Sequence, residues 1–171
     1  MGALAVIHQI LITDKMRALA EKKAKEMGTL RHSITEGDGN LVGFLGEIAA
    51  WSLIGGKLAN TYDYDLVLKD GRTVDVKSKR TKVIPQSHYE CSVYAYNIKQ
   101  VCDFYCFVRV SINFDKAWVL GMLQKDKFYK NASFIKKGTL DGDNNFEIMD
   151  DCYNLKIHQL EDAEYIVKCT F

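Results

Sequence analysis

The chain has one proline among 171 residues, five cysteines with no CxxC pair, four histidines and a formal net charge of only +1. Each shortage closes off a reading. With Pro85 alone and no Pro/Gly/Ser-rich stretch, repeat or low-complexity run, nothing marks a linker, and 47% hydrophobic content suffices for one sizeable core. A single domain is expected over residues 1–171, with an N-terminal helical segment at 1–28, a core at 40–123 and a C-terminal extension at 124–171. Met1 to Ile12 is apolar but too short to span a bilayer, is interrupted by His8 and Gln9, and lacks a basic n-region or small-residue cleavage site. A soluble, intracellular, cytoplasmic protein is the expectation.

The odd cysteine count, at 91, 102, 106, 152 and 169, argues for reduced, structural thiols. His8, His32, His88 and His158 have no ligand spacing, although His88 is expected near the substrate. Asp141-Gly142-Asp143-Asn144-Asn145 resembles a calcium loop but carries Phe146 where glycine is needed and Cys152 where a bidentate glutamate is needed, so it reads as a polar turn. A near-neutral balance does not by itself announce a nucleic-acid partner.

What is present concentrates between Leu41 and Arg80. Tyr62 to Leu68 and Arg72 to Ser78 both read as strands, and Asp70-Gly71 between them is a hairpin signal. Side chains alternate across a strand, so Asp75 and Lys77 share a face while Val74 and Val76 point behind it. A three-residue loop, Lys69-Asp70-Gly71 with a left-handed Gly71, would set Asp65 opposite Asp75; a two-residue loop would reverse every facing. The functional reading requires the three-residue loop. Carboxylates held that close resist ionising unless a cation lies between them, and Mg²⁺ suits one or two carboxylates plus phosphate oxygens. Lys77 would add positive charge beside a phosphate or help orient an attacking water. Against this stands the plain alternative of a solvated hairpin face with an ordinary ion pair.

A third carboxylate lies upstream. Asn40 to Gly55 reads as a helix, with Asn40 as N-cap and Gly55-Gly56 as stop. At about 100° per residue, Glu47 falls on the stripe of Phe44, Ile48, Trp51 and Ile54 and is the one charged residue of that helix. A carboxylate on an apolar face is costly unless paired or metal-bound. Gly43, Gly46, Ala49 and Ala50 suggest close packing of the helix on a sheet.

The order helix-Glu47, strand-Asp65, turn, Asp75-Val76-Lys77 resembles the PD-(D/E)xK, or restriction-endonuclease-like, nuclease superfamily, over less than a third of the chain. The resemblance implies an α/β (α+β) fold with a restriction-endonuclease-like mixed sheet flanked by helices and preceded by an N-terminal helix. It also implies Asp65 and Asp75 as metal ligands with the Val76 carbonyl, Lys77 as catalytic lysine, and Glu47 as an accessory metal-site carboxylate. The residue before Asp65 is Tyr64 where the motif has proline, and Asp63 rivals Asp65 for the first-ligand role.

The remainder is compatible. Asp103 to Val110, Ala117 to Leu123 and His88 to Tyr96 read as strands, and Thr13-Asp14 caps an amphipathic helix running through Met27 to Gly28. Lys79, Arg80 and Lys82 crowd the proposed site and are candidates for DNA backbone contacts. Tyr62, Tyr64, Tyr89, Tyr94 and Tyr96 could stack on splayed bases, though strand tyrosines are more often packing residues. The expected function is Mg²⁺-dependent hydrolysis of DNA phosphodiester bonds, with Mn²⁺ able to substitute and endonuclease favoured over exonuclease. Symmetric cutting of two strands would require a homodimer, and the compact size is compatible with a phage nuclease. The alternative is a non-catalytic DNA- or protein-binding subunit that keeps a nuclease-like fold.

Overall fold

The computed structural model describes residues 4–28, 38–59, 61–141 and 145–169. Its centre is a six-stranded mixed sheet in the order β1-β7-β6-β4-β3-β2. The strands are β1 (His8–Leu11), β2 (Lys57–Leu58), β3 (Leu66–Val67), β4 (Thr73–Thr81), β6 (Phe104–Ser111) and β7 (Lys116–Gln124). β4 and β6 run parallel and every other neighbour antiparallel. A second sheet, β5-β9-β8, joins Glu90–Tyr94, Cys152–Lys156 and Ser133–Ile135. The helices are α1 (Asp14–Gly28), α2 (Asp38–Ile54), α3 (Lys125–Asn131) and α4 (Ala163–Lys168). The α+β class is thus observed.

Both faces of the main sheet are covered, which explains why every residue of β6 is buried. On one face Val74, Val76, Cys106, Val108 and Val119 pack against Leu45, Ile48 and Ala49 of α2 and Ile166 of α4, with α1 lying over α2. On the other, Tyr105, Phe107, Trp118 and Leu120 pack against Cys91, Val93 and Leu155 of the second sheet and Phe128 of α3. The cysteines are free, as their spacing suggests.

Several expectations need correcting. The N-terminal segment is not only helical, because β1 pairs with β7 at the sheet edge. Thr13 does cap α1, its Oγ1 accepting the Met16 amide at 3.2 Å. Asn40 is not an N-cap, since α2 already begins at Asp38. His88 to Tyr96 gives the strand β5 only over Glu90–Tyr94, and in the second sheet. The C-terminal residues are no appendage: they supply β8, β9 and α4, which close both cores. His32 and residues 142–144 of the polar turn lie outside the described residues.

Candidate active site

The hairpin turns through three residues. Leu66 faces Val74 and Val67 faces Thr73, the Leu68 amide donates to the Arg72 carbonyl at 2.8 Å, and Gly71 has φ 88. A side chain at Gly71 would be strained there.

The strand-like run at Tyr62 is nevertheless mostly loop, with β3 reduced to Leu66–Val67. Polar bonds outcompete the ladder. Thr61 Oγ1 donates to the Tyr64 carbonyl at 2.8 Å and accepts the Tyr64 amide at 3.0 Å, and the Asp63 carboxylate accepts the Val101 amide at 2.9 Å. Such side-chain bonds to main chain compete directly with strand pairing. They commit Asp63 to the loop and leave Asp65 at the end of β3.

There Asp65 takes over from the main chain. Its Oδ2 accepts the Val76 amide at 2.7 Å, beyond the last ladder pair. The amide and carbonyl of one strand residue point to the same side, so the Val76 carbonyl is directed towards the same opening. The Val76 side chain itself packs in the helix-side core.

Asp75, on the opposite face of β4 from Val76, is 4% exposed. Its Oδ1 accepts from Gln100 Nε2 at 3.0 Å. Lys77 Nζ lies 2.7 Å from Asp75 Oδ2, an ion pair by distance, yet no hydrogen bond is directed at that buried oxygen. Lys77 aims its own hydrogen bond at Gln100 Oε1, 3.0 Å away, and stands 5.6 Å above the centre of the Tyr105 ring.

Glu47 reaches the cluster from α2. The closeness of that helix depends on Gly46, where a Cβ would fall 1.8 Å from Ser78 Oγ on β4. Lys23 of α1 stands 4.0 Å from Glu47 Oε2. Burial first, then the nearby Asp65 carboxylate, pushes Glu47 up to about 8. Burial and the Asp75 charge push Asp65 up to about 6. Burial likewise raises Asp75, with Lys77 and Gln100 working against it. Glu47 and Asp65 are near enough for each to shift the other's titration. Near neutral pH Glu47 and Asp65 therefore hold more protons than free carboxyls would.

The sites for phosphate contact are less unified. Lys79 and Arg80 are neighbours on β4 and point to opposite faces. Lys79 is on the Asp75 face, with desolvation and then Arg109 lowering its pKa; Arg80 lies over the Phe114 ring at 5.1 Å. Lys82 follows the end of β4 and, with Arg80, Thr81 and Ile112, lines a shallow hollow. His88 packs edge-on against Tyr89.

Two residues of the cluster carry no signal in the sequence. Gln100 binds Asp75, Lys77 and, through Nε2, the Tyr62 carbonyl at 2.9 Å. Lys23 comes from a helix read only as amphipathic. Neither has a diagnostic spacing from the Asp-x-Lys triplet; only the three-dimensional path brings them in.

Among the described residues, no group of three or more His, Cys, Asp or Glu side chains stands as a ready-made metal cage. The donor types still suit a hard cation: the carboxyls of Glu47, Asp65 and Asp75, and the main-chain carbonyl of Val76 on the side of β4 where Asp65 sits. Comparison with known proteins finds no family model that matches this chain and no curated protein similar to it in sequence.

Proposed function

We propose that this protein is a Mg²⁺-dependent nuclease that hydrolyses DNA phosphodiester bonds, built on a restriction-endonuclease-like version of its mixed sheet. One observation carries the reading: Glu47, Asp65 and Asp75 converge where β3 ends, with raised pKa values, and Lys77 stands against Asp75. Structural carboxylates are normally paired in ways that depress their pKa; three acids raised by burial in one region support a functional site in which a cation would offset their charge.

Asp65, Asp75 and the Val76 carbonyl would hold the metal, with Glu47 orienting its water shell. Bound there, Mg²⁺ would supply Lewis-acid stabilisation of the phosphate and a more acidic water. Lys77 would leave Asp75 as the metal enters and turn its charge to the phosphate, while Gln100 keeps the Asp75 carboxylate in place. Lys79 would neutralise a backbone phosphate on the same face; Arg80 and Lys82 would contact the strand where it leaves β4.

A second reading, a non-catalytic nucleic-acid- or protein-binding subunit, is favoured by the same ion pair, since Lys77 already neutralises Asp75. One experiment separates them. The protein is incubated with circular single-stranded DNA, linear duplex and a four-way junction, each with Mg²⁺, Mn²⁺ or EDTA, beside Asp75→Ala and Lys77→Ala. Metal-dependent cutting lost in both variants establishes the nuclease, and the substrate cut distinguishes endonuclease, exonuclease and resolvase. Tight, metal-independent binding without cutting supports the subunit.

A further inference from the structure

Three of the exposed aromatic side chains gather beside the carboxylate cluster. Tyr62 is 65% exposed, Tyr94 47% and Tyr96 59%. Tyr94 and Tyr96 lie parallel, with ring centroids 5.5 Å apart and an interplanar angle of 12°. Tyr62 is tied to the same region through its carbonyl, which accepts at 2.9 Å from Gln100, the residue that closes the turn carrying Tyr96. Of the acids on that side, Asp150 is matched by Lys137 Nζ at 3.8 Å, and the Asp151 carboxylate accepts the Lys137 amide at 2.8 Å.

These rings are held in position although they are exposed. Tyr94 ends β5, where it pairs with Cys152, and Tyr96 sits in the 3₁₀ turn Ala95–Lys99. That turn is pinned by the core: Tyr105 Oη donates to the Asn97 carbonyl at 3.2 Å, and Lys125 Nζ donates to the Ile98 carbonyl at 2.8 Å and to the Gln100 carbonyl. Gln100, which closes the turn, carries both the Tyr62 carbonyl and the Asp75 carboxylate on one amide nitrogen. The aromatic group and the proposed metal site are therefore one hydrogen-bonded unit. Exposed apolar rings fixed in advance cost little further entropy on binding, and the exposed Lys99 beside them adds a cation.

We propose that Tyr62, Tyr94 and Tyr96 form a stacking platform for unpaired bases, so that the site takes a nucleic-acid strand held single-stranded, or splayed from a duplex, next to the bond to be cut. The assignment of the neighbouring bond rests on the nuclease reading; the platform itself does not. A base offers two π faces whatever its identity, so such a surface selects strandedness over sequence. Inside a duplex the bases are stacked on one another, so an intact groove gives these rings no free base face to cover.

The test uses the full chain in EDTA, where no cutting can occur. A short single strand containing 2-aminopurine and a blunt duplex of the same sequence are titrated with wild type, Tyr94→Ala/Tyr96→Ala, Tyr62→Ala and Tyr94→Phe/Tyr96→Phe, after circular dichroism confirms that each is folded. Expected is preference for the single strand, quenching of 2-aminopurine by wild type and the Phe variant, and roughly tenfold weaker single-strand binding with lost quenching in the Ala variants. Equal affinity and quenching across all four proteins, or absence of single-strand binding, overturns the platform; the surface then serves a protein partner or a second copy. The same proteins are then assayed with Mg²⁺. Single-strand binding lost with the tyrosines, in a protein that cuts nothing, overturns the nuclease reading and leaves the platform standing. Cutting by a wild type whose tyrosines are dispensable does the reverse.

Discussion

At the scale of single residues, the site behaves as a proton store. Glu47 is raised from 4.5 to about 8 and Asp65 from 3.8 to about 6, so the folded protein holds protons that the unfolded chain would release. A raised acid adds stability that is fully present below the unfolded value and is lost as pH rises through the folded one. Without metal, Tm should fall by several degrees between pH 5 and pH 9, and Glu47→Gln should flatten the upper part of that fall. Scanning calorimetry in EDTA checks both. Mg²⁺ should stabilise more at pH 8.5 than at pH 5.5, because only at the higher pH are the carboxylates free of protons. Gln100 makes a second residue-scale prediction. Gln100→Ala removes a donor from Asp75 Oδ1 and the acceptor of Lys77; kcat should fall roughly 10- to 100-fold, with a higher Mg²⁺ requirement and little change in KM. Asp75, Lys77 and Glu47 were readable because alternation and helical periodicity set where they point. Gln100 and Lys23 were not, because their roles depend on where a turn and a helix end up in space.

At the scale of elements, the contact between α2 and β4 is the tightest geometric demand. Gly46 stands over Ser78, whose buried Oγ has no hydrogen-bond partner. Gly46→Ala must force helix and strand apart, which should cost about 1–3 kcal/mol and lower turnover by displacing Glu47. Ser78→Gly should restore much of that loss, since the clashing atoms at 1.8 and 2.7 Å are Oγ and Cβ of Ser78. Ser78→Ala alone should be neutral or slightly stabilising, because an orphaned hydroxyl carries only its desolvation cost. Urea denaturation of the four proteins resolves these differences. The helix and the hairpin were legible from local chemistry, an Asp-Gly signal and a small-residue stripe, whereas the three-residue length of the turn followed only from asking that Asp65 face Asp75. The short length of β3 was not: tyrosine and aspartate alternation looks like a strand until Thr61, Asp63 and Gln100 claim its backbone.

At the scale of the whole molecule, one sheet serves two cores. Its alternate side chains feed a helix-side cluster and a cluster closed by β5, β9 and α3, so neither side can come apart without exposing the other face of the same strands. Unfolding should be a single transition, with far-UV circular dichroism and tryptophan fluorescence superimposable. Phe128→Ala, which empties a fully buried position stacked on Phe107 and edge-on to Tyr105, should cost about 3–5 kcal/mol and shift both signals together. The sequence showed the central strands through their apolar runs but not the second sheet, whose middle strand β9 comes more than fifty residues after its neighbour β5 in the chain. No helix among the described residues is long and apolar enough to cross a membrane. The early end of β3 has one more consequence at this scale. β4 runs on to Thr81 after β3 stops, with no further strand beside it on that flank among the described residues, and an unpaired strand flank invites another chain to add itself there. The Asp65 carboxylate, seated on the Val76 amide, fills the first position at which such an intruder would pair. The group proposed to hold a cation is also a sentinel against edge-to-edge self-association.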